Sequence, residues 1–334
     1  MKKIILLFSV LLLFTGCSRN NVASVKNEIH KKYDKSSGYL LKGELEINNN
    51  DDVYNYDVEV LHKKENNYKI ELINKDNDFK QIILKNNDGV FLYTPSLNKS
   101  FKFQSNWPYN HSQIYLLSSL LNDIDKDKNL TFEMKDNKFI YMCAVDYPNN
   151  RSFSKQKIVF DSKYKLNKVV VYNDKDQICM EFNVTKLKYS PNINLDEFEL
   201  EPIVDSNDDS SIQNEDTKET SVLEDVIYPL FVPNGTKLVD EEKVVKESGE
   251  RVIMTYDGEK SFLLVEETKD VFDEFTLIPT SGEPYQLMDT IGVINDNSLS
   301  WTSGNKDYYL VSDVMSQQEL IEIAESIVGI PSMK

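Results

Sequence analysis

A period-two alternation of apolar and polar residues is the feature that most restricts how this chain folds. In YLLKGELEI (39–47) and VYNYDVEVLH (53–62), aromatic and aliphatic residues take most alternate positions, and polar or charged residues stand between them. Alternate positions point to opposite faces of a strand, so the pattern predicts an antiparallel sheet with one apolar face. The alternation continues in three further segments: YKIEL (68–72), FKQIILK (79–85) and VFLY (90–93).

Two amphipathic segments are the local candidates to cover that apolar face. Residues 21–36 and 112–124 each place apolar side chains at helical spacing. Antiparallel sheets with one apolar face must bury that face against another layer. We therefore predict an α+β unit in which two helices cover an antiparallel sheet. Its last strands are expected as a meander near 138–147, 152–160, 165–173 and 177–188.

An acidic segment over residues 205–222 is predicted to divide the chain into two domains, 22–204 and 223–334. DSNDDSSIQNEDTKET (205–220) is almost devoid of apolar residues and cannot bury a core, so it predicts a flexible linker. The second domain is predicted to be a smaller α+β unit. Its last helix is marked by a capping box of Ser316 and Glu319. Its expected strands are RVIMTY (251–256), KSFLLVEE (260–267), LSWTS (299–303) and YYLVS (308–312).

The N-terminus predicts an exported protein with a lipid anchor. Lys2 and Lys3 precede an apolar run that is too short for a membrane span, which takes about 20 apolar residues. The run ends in LLLFTGC (11–17), which is similar to a bacterial lipobox, although Phe14 stands where Leu is more common. The similarity implies a signal peptide over 1–16, a diacylated Cys17 and a tether over 17–21. We therefore expect an extracytoplasmic protein that is anchored to the cell or spore membrane.

The net charge restricts the partners of the chain. The formal charge is −17 at neutral pH. Such a surface repels the phosphates of nucleic acids and anionic lipid headgroups. We therefore expect no nucleic-acid partner, and a body that stays at the membrane only through its acyl chains.

Cys143 and Cys179 are the other two cysteines of a chain that is predicted to be exported, where disulfides form. The predicted meander places them on strands three apart in order, roughly 14 Å from each other. A disulfide requires Cα atoms within about 7 Å. We therefore expect both thiols to be free.

The sequence shows no arrangement typical of catalysis or metal binding. The three histidines, His30, His62 and His111, have no paired spacing, and GxSxG, Walker and GxGxxG motifs are absent. NDIDKDKN (122–129) begins like a calcium loop but lacks the required Gly and Glu at its sixth and twelfth positions. We expect a protein without enzymatic activity, cofactor or metal. An envelope hydrolase is the remote alternative.

The apolar face of the first domain has two interpretations. It is either a core that the two helices close, or a cleft under a helical lid for an acyl chain or a partner's apolar segment. The predicted walls of the cleft are Tyr54, Tyr56, Val58, Val60, Ile70 and Leu72.

Most of residues 22–202 resemble the LolA-like lipoprotein-carrier family. The resemblance lies in the pattern of YKIEL (68–72), of 83–103, of the helix after Trp107-Pro108, and of 159–200. It implies an open, strongly curved antiparallel half-barrel around an apolar cavity with a helical lid. Carriers of this family typically hold the lid with an arginine. Lys69 stands at that position here and lacks the planar fork of arginine.

The second half resembles the C-terminal domain of clostridial and bacillar sporulation lipoproteins. The resemblance lies in 226–238 and 299–327, and the two-domain order is similar to that of RseB/MucB-type sensors. Together with the similarity to GerS-like lipoproteins, it implies a non-catalytic scaffold or sensor in sporulation or germination. Its partner would be an envelope or cortex-processing protein. The alternative is a lipid- or lipoprotein-binding module that uses the apolar cleft for an acyl lipid.

Overall fold

The computed structural model describes residues 21–49, 52–109, 111–147, 150–208, 223, 225–246 and 249–327. Within these ranges the chain forms two open sheets and four α-helices. Strands predominate, and neither sheet closes into a barrel. The predicted α+β class, with open antiparallel sheets, is confirmed.

The first sheet contains twelve strands. Eleven of them precede residue 190: β1 (Gly38–Asn49), β2 (Asp52–Lys63), β3 (Asn67–Asn74), β4 (Lys80–Asn86), β5 (Gly89–Thr94), β6 (Lys99–Phe103), β7 (Thr131–Lys135), β8 (Lys138–Ala144), β9 (Phe153–Phe160), β10 (Leu166–Asn173) and β11 (Ile178–Tyr189). The twelfth is β15 (Thr276–Thr280), and the order is β15-β6-β5-β4-β3-β2-β1-β11-β10-β9-β8-β7.

The order of the last four strands before residue 190 confirms the predicted meander. β11, β10, β9 and β8 are successive neighbours, so two strands separate Cys179 on β11 from Cys143 on β8. Both thiols are free. Burial raises the pKa of the Cys143 thiol to about 12.

Helices α1 (Val22–Lys35) and α2 (Leu117–Lys126) cover one face of the first sheet, as predicted. α2 begins five residues later than the predicted 112. Ser112 explains the difference, because its backbone N–H donates to Asp146 O and its hydroxyl donates to Asp123 Oδ2, both at 2.8 Å. These bonds hold the segment before α2 against the loop at 146 instead of in a helical turn.

The opposite face of the first sheet is also covered at β4 and β5. Helix α3 (Leu200–Asp208) buries Ile203 and Val204 there, after a short 3₁₀ turn at Leu195–Phe198. Burial on both faces explains why β4 and β5 contain uninterrupted apolar stretches, at 82–84 and 90–93, instead of the expected alternation. The helix also carries regular structure past residue 204, the expected end of the first domain, to Asp208.

The second sheet contains seven strands in the order β12-β13-β14-β19-β18-β17-β16. Helix α4 (Gln317–Glu325) packs on it, and Ser316 and Glu319 form the predicted capping box. The strands are β12 (Thr236–Lys246), β13 (Gly249–Gly258), β14 (Phe262–Thr268), β16 (Glu283–Gln286), β17 (Ile291–Ile294), β18 (Ser298–Ser303) and β19 (Lys306–Val311).

The segment between β14 and β16 crosses to the first sheet. Strand β15 extends the edge of that sheet by pairing in parallel with β6, with Ile278 opposite Phe101. Just before it, the Thr276 N–H donates to the Asn98 carbonyl oxygen at 2.8 Å. Residues 223–334 therefore contribute to both sheets.

Candidate functional site

The residues predicted to wall a cleft share one face of the first sheet. Four alternate along β2, and the register places Ile70 and Leu72 of β3 opposite Val60 and Val58. Five of the six are at most 3 % exposed, and Tyr54 is half-buried against the same core. They belong to the core under α1 and α2, and none of them lines the cavity described below. The six are Tyr54, Tyr56, Val58, Val60, Ile70 and Leu72.

Stacked rings connect this face to helix α2. The His62 ring stacks on Tyr68, with centroids 4.3 Å apart, and Tyr68 Oη lies 3.1 Å from Ser118 Oγ on α2. Burial lowers the pKa of His62 to about 4, and the nearby charge of Lys64 acts in the same direction. The neutral imidazole donates from Nδ1 to the Asn67 carbonyl oxygen at 3.0 Å.

Lys69, at the position where carriers have arginine, lies on the other face of β3. Its Nζ is 3.0 Å from Glu71 and 3.3 Å from Glu197, which belongs to the 3₁₀ turn after β11. Tyr68 and Ile70, its neighbours in sequence, face the core. Tyr68 therefore contacts helix α2, whereas Lys69 pairs with carboxylates on the other face.

A hairpin of the second sheet packs on the same apolar face. We call residues 283–294, which comprise β16, its turn and β17, the junction hairpin. Tyr56 Oη donates to the Met288 carbonyl oxygen at 2.7 Å, and Asn74 Nδ2 donates to that of Asp289 at 3.2 Å. The hairpin tip is thus bound through its backbone by side chains of β2 and β3.

Gln81 on β4 makes the most complete contact with the junction hairpin. Its Nε2 donates to the Ile291 carbonyl oxygen at 3.0 Å, and its Oε1 accepts from the Ile291 N–H at 2.6 Å. The Thr290 hydroxyl donates to the same oxygen at 3.1 Å. Since Gln81 is only 5 % exposed, these bonds provide the partners that a buried amide requires.

The amino-acid sequence contains a signal for a contact at Gln81, which hydrophobic periodicity alone does not reveal. Gln81 lies opposite Leu72, so it is a polar residue at an inward position of an apolar face. Buried amides are hydrogen-bonded. A glutamine at such a position indicates a partner for its amide, but not which segment supplies it.

The junction hairpin joins the two hydrophobic cores. Ile291 and Val293 belong to the core of the first sheet, whereas Leu287 and Ile294 belong to that of the second. A cavity of about 60 Å³ remains between the hairpin and the first sheet. Ligand pockets typically enclose about 300–1,000 Å³, so this space is far below what an acyl chain requires.

The aspartates of the run that resembles a calcium loop bind separate partners. Asp123 is buried and accepts from Ser112 Oγ at 2.8 Å and from Gln156 Nε2 at 2.7 Å. Asp125 pairs with Lys26 of α1, and Asp127 accepts from backbone N–H groups. Burial raises the pKa of Asp123 to about 6. The run therefore attaches α2 to its surroundings.

Three carboxylates approach one another in the second sheet, those of Glu267, Asp270 and Asp307. Arg251 Nε lies 2.5 Å from Glu267, and Lys246 Nζ lies 3.1 Å from the same carboxylate. Lys99 Nζ lies 3.7 Å from Asp307, so three cations surround the three carboxylates. The three histidines of the chain lie apart: His30 contacts Asp125, His62 lies in the ring stack, and His111 contacts Glu283.

Cys17, the predicted lipidation site, lies outside the described residues. Among the residues that are described, no helix has the length and apolar character needed to cross a membrane.

Comparison with known proteins identifies a relative along nearly the whole chain. The sporulation protein YdcC of Bacillus subtilis (strain 168) is 34% identical over 321 residues, which cover 95% of this chain and 94% of YdcC. No protein-family model matches the chain.

Among the solved structures that match part or most of the chain are three of different proteins. MucB, in the Pseudomonas aeruginosa MucA/MucB complex, is 12% identical, with a TM-score of 0.32 and coverage of 90% of this chain and 97% of the other. A LolA superfamily protein of Nitrosomonas europaea is 12% identical, with a TM-score of 0.31. The match covers 55% of this chain and 99% of the other. A chain in the complex of the CwlD amidase with the GerS lipoprotein of Clostridioides difficile is 15% identical, with a TM-score of 0.29. The match covers 52% of this chain and 96% of the other.

Proposed function

The chain belongs to the family of the sporulation protein YdcC, and from this premise we propose that it acts in sporulation as a non-catalytic lipoprotein that binds a protein partner. Its location would be extracytoplasmic, with the body held at the cell or spore membrane through Cys17. The partner class that we propose is an envelope or cortex-processing enzyme. This last step follows the sequence resemblance to GerS-like lipoproteins.

The observation that carries the proposal is that the chain fills its own apolar face. Helices α1 and α2 cover one part of it, and Ile291 and Val293 of the junction hairpin cover another. An acyl ligand would have to displace the hairpin and break the bonds of Tyr56, Asn74 and Gln81. A scaffold needs no such opening, because it offers its partner an outer surface.

A disulfide between β15 and β6, neighbouring strands at one edge of the first sheet, separates the scaffold from a lipid carrier. Phe101 on β6 and Ile278 on β15 are paired residues of neighbouring strands. Neighbouring strands lie about 4.8 Å apart, within the Cα range of about 4.4–6.8 Å that disulfides span. Phe101→Cys with Ile278→Cys therefore staples β15 to the first sheet, and each single variant serves as its control.

The stapled chain is expected to support sporulation and to retain its partner in a pull-down from sporulating cells, as the single variants do. If the staple abolishes both and a reductant restores them, β15 must leave the edge of the first sheet in function. That result would favour a lipid- or lipoprotein-binding module that uses Tyr54, Tyr56, Val58, Val60, Ile70 and Leu72. Cys17→Ala is expected to release the chain from the membrane fraction, and membrane retention of this variant would contradict the anchor.

A further inference from the structure

Five aromatic residues contribute to the lining of the cavity between the junction hairpin and the first sheet. They are Trp107, Tyr115, Tyr147, Phe153 and Tyr285. The rings of Tyr147 and Phe153 pack edge to face at 87°, with centroids 5.2 Å apart. Faces of aromatic rings carry negative charge density and attract cations within about 6 Å.

Two buried polar atoms of the cavity lining lack a hydrogen-bond partner among the described residues. They are the Tyr147 hydroxyl and the side-chain oxygen of Gln286. The Gln286 amide nitrogen already donates to the Leu287 and Thr290 carbonyl oxygens, which fixes the orientation of the amide. Leaving a buried polar group without a partner is unfavourable. The amide oxygen can only accept a hydrogen bond, so its partner must be a donor.

The charged groups of the lining favour a cation over an anion. Glu283 supplies a carboxylate, to which His111 Nε2 lies at 2.5 Å. No lysine or arginine is among the residues that line this cavity within the described part of the chain. A carboxylate and aromatic faces both stabilise positive charge, and they would repel a phosphate or carboxylate ligand.

We propose that this cavity binds a small organic ammonium ion. The N–H groups of the ion donate to Gln286, Tyr147 and Glu283, and its alkyl carbons contact the aromatic rings. The volume of about 60 Å³ limits the bound group to a few non-hydrogen atoms. A free small amine and the ethanolamine headgroup of a lipid share this chemistry.

Ethylammonium chloride is the probe that tests the proposal, with propanol as its uncharged analogue and sodium chloride as the control for ionic strength. Titration of the purified full chain, followed by calorimetry, is expected to show saturable binding of ethylammonium only. Equal binding of propanol, or no saturable signal with ethylammonium, would overturn the proposal. This comparison uses the wild-type chain and does not depend on how well a variant folds.

Variants then assign the site. Glu283→Gln is expected to weaken ethylammonium binding about tenfold, because a charged hydrogen bond is lost. Glu274→Gln, at an exposed position outside the lining, is the matched control and should bind as the wild type does. Unchanged binding by Glu283→Gln would place the ion elsewhere and contradict the proposal.

Soluble short-chain lipids separate the two sources of the ammonium group. If dihexanoyl phosphatidylethanolamine binds and competes with ethylammonium while the phosphatidylglycerol analogue does not, the site accepts a lipid headgroup. If neither lipid binds and ethylammonium still does, the ligand is a free amine. Both results support an ammonium site, whereas binding of the phosphatidylglycerol analogue in competition with ethylammonium would contradict it.

Discussion

Two buried ionisable side chains respond to pH in opposite directions. Burial raises the pKa of Asp123 to about 6 and lowers that of His62 to about 4. Both groups prefer their neutral form in the folded chain. Asp123 therefore makes stability fall as pH rises, and His62 makes it fall as pH drops. In the wild type these two contributions offset each other between about pH 4 and 6.5.

Asp123→Asn is expected to reveal the contribution of the carboxylate. Its stabilising effect is fully present below the unfolded pKa of 3.8 and is lost as pH rises through about 6. Ionisation costs about 3 kcal/mol at neutral pH. The asparagine oxygen can still accept hydrogen bonds from Ser112 and Gln156. Between pH 4 and 7 the free energy of unfolding of the variant should therefore rise, relative to that of wild type, by up to about 3 kcal/mol.

The measurement is the free energy of unfolding in urea at several pH values. Asp125→Asn on the same helix is the control, because the Asp125 side chain is 43 % exposed and pairs at the surface with Lys26. A difference between Asp123→Asn and wild type that does not change with pH would contradict the raised pKa of this buried carboxyl group.

His62→Phe is expected to give the opposite slope. The contribution of the neutral imidazole is fully present above the unfolded pKa of 6.5 and is lost as pH falls through about 4. At pH 7 the variant is expected to be less stable than wild type, because it lacks the bond to Asn67. Between pH 7 and 4 its free energy of unfolding should rise by about 3 kcal/mol relative to that of wild type. His30→Phe on α1 is the control, since that ring is partly exposed. Equal slopes for the two histidine variants would count against the lowered pKa.

At the scale of elements, the contact between Gln81 and the junction hairpin is expected to be a main determinant of docking. Gln81→Leu leaves the Ile291 N–H and the Thr290 hydroxyl buried without their present partner. Each such group costs about 1–3 kcal/mol, so we expect a loss of about 2–5 kcal/mol in the free energy of unfolding. Hydrogen exchange should show faster exchange of the Ile291 amide. Gln104→Leu, at an exposed position of the loop after β6, should change neither quantity.

Local patterns predicted the elements that their own residues determine. Alternation located β1 to β3, and the capping box of Ser316 and Glu319 located α4. The beginning of α2 was placed too early because Ser112 binds Asp146, which lies far along the chain. The strand β15 has five residues and no clear alternation, and its position depends on the free edge of β6. Contacts between distant segments leave little trace in a single sequence.

The candidate site was predicted in part, for the same physical reason. The apolar positions of β2 and β3 were recognised because a half-buried sheet requires one apolar face. The same pattern fits both a closed core and an open cleft, so it does not predict what covers that face. The junction hairpin, which covers part of it, comes from more than two hundred residues along the chain, with Gln81 and Ile291 separated by 210 positions. Hydrophobic periodicity carries no information on which distant segment is docked.

At the scale of the whole molecule, the two sheets depend on each other for burial. The residues after 223 supply β15 to one edge of the first sheet and the junction hairpin to its apolar face. A fragment of residues 21–208 would expose the apolar surface around Ile83 and the donors of Tyr56, Asn74 and Gln81. Exposed apolar patches of this kind promote association.

We therefore expect the 21–208 fragment to bind the dye ANS and to self-associate in sedimentation velocity, whereas the full chain does neither. A peptide covering residues 276–296 should reverse both effects, because it contains β15 and the whole junction hairpin. The same peptide with Ile291→Asp and Val293→Asp is the control, since those two side chains enter the core of the first sheet. A fragment that stays monomeric and binds neither ANS nor the peptide would show that the first sheet closes its apolar face alone. The junction hairpin would then be an accessory contact that the first sheet does not need for burial of its apolar face.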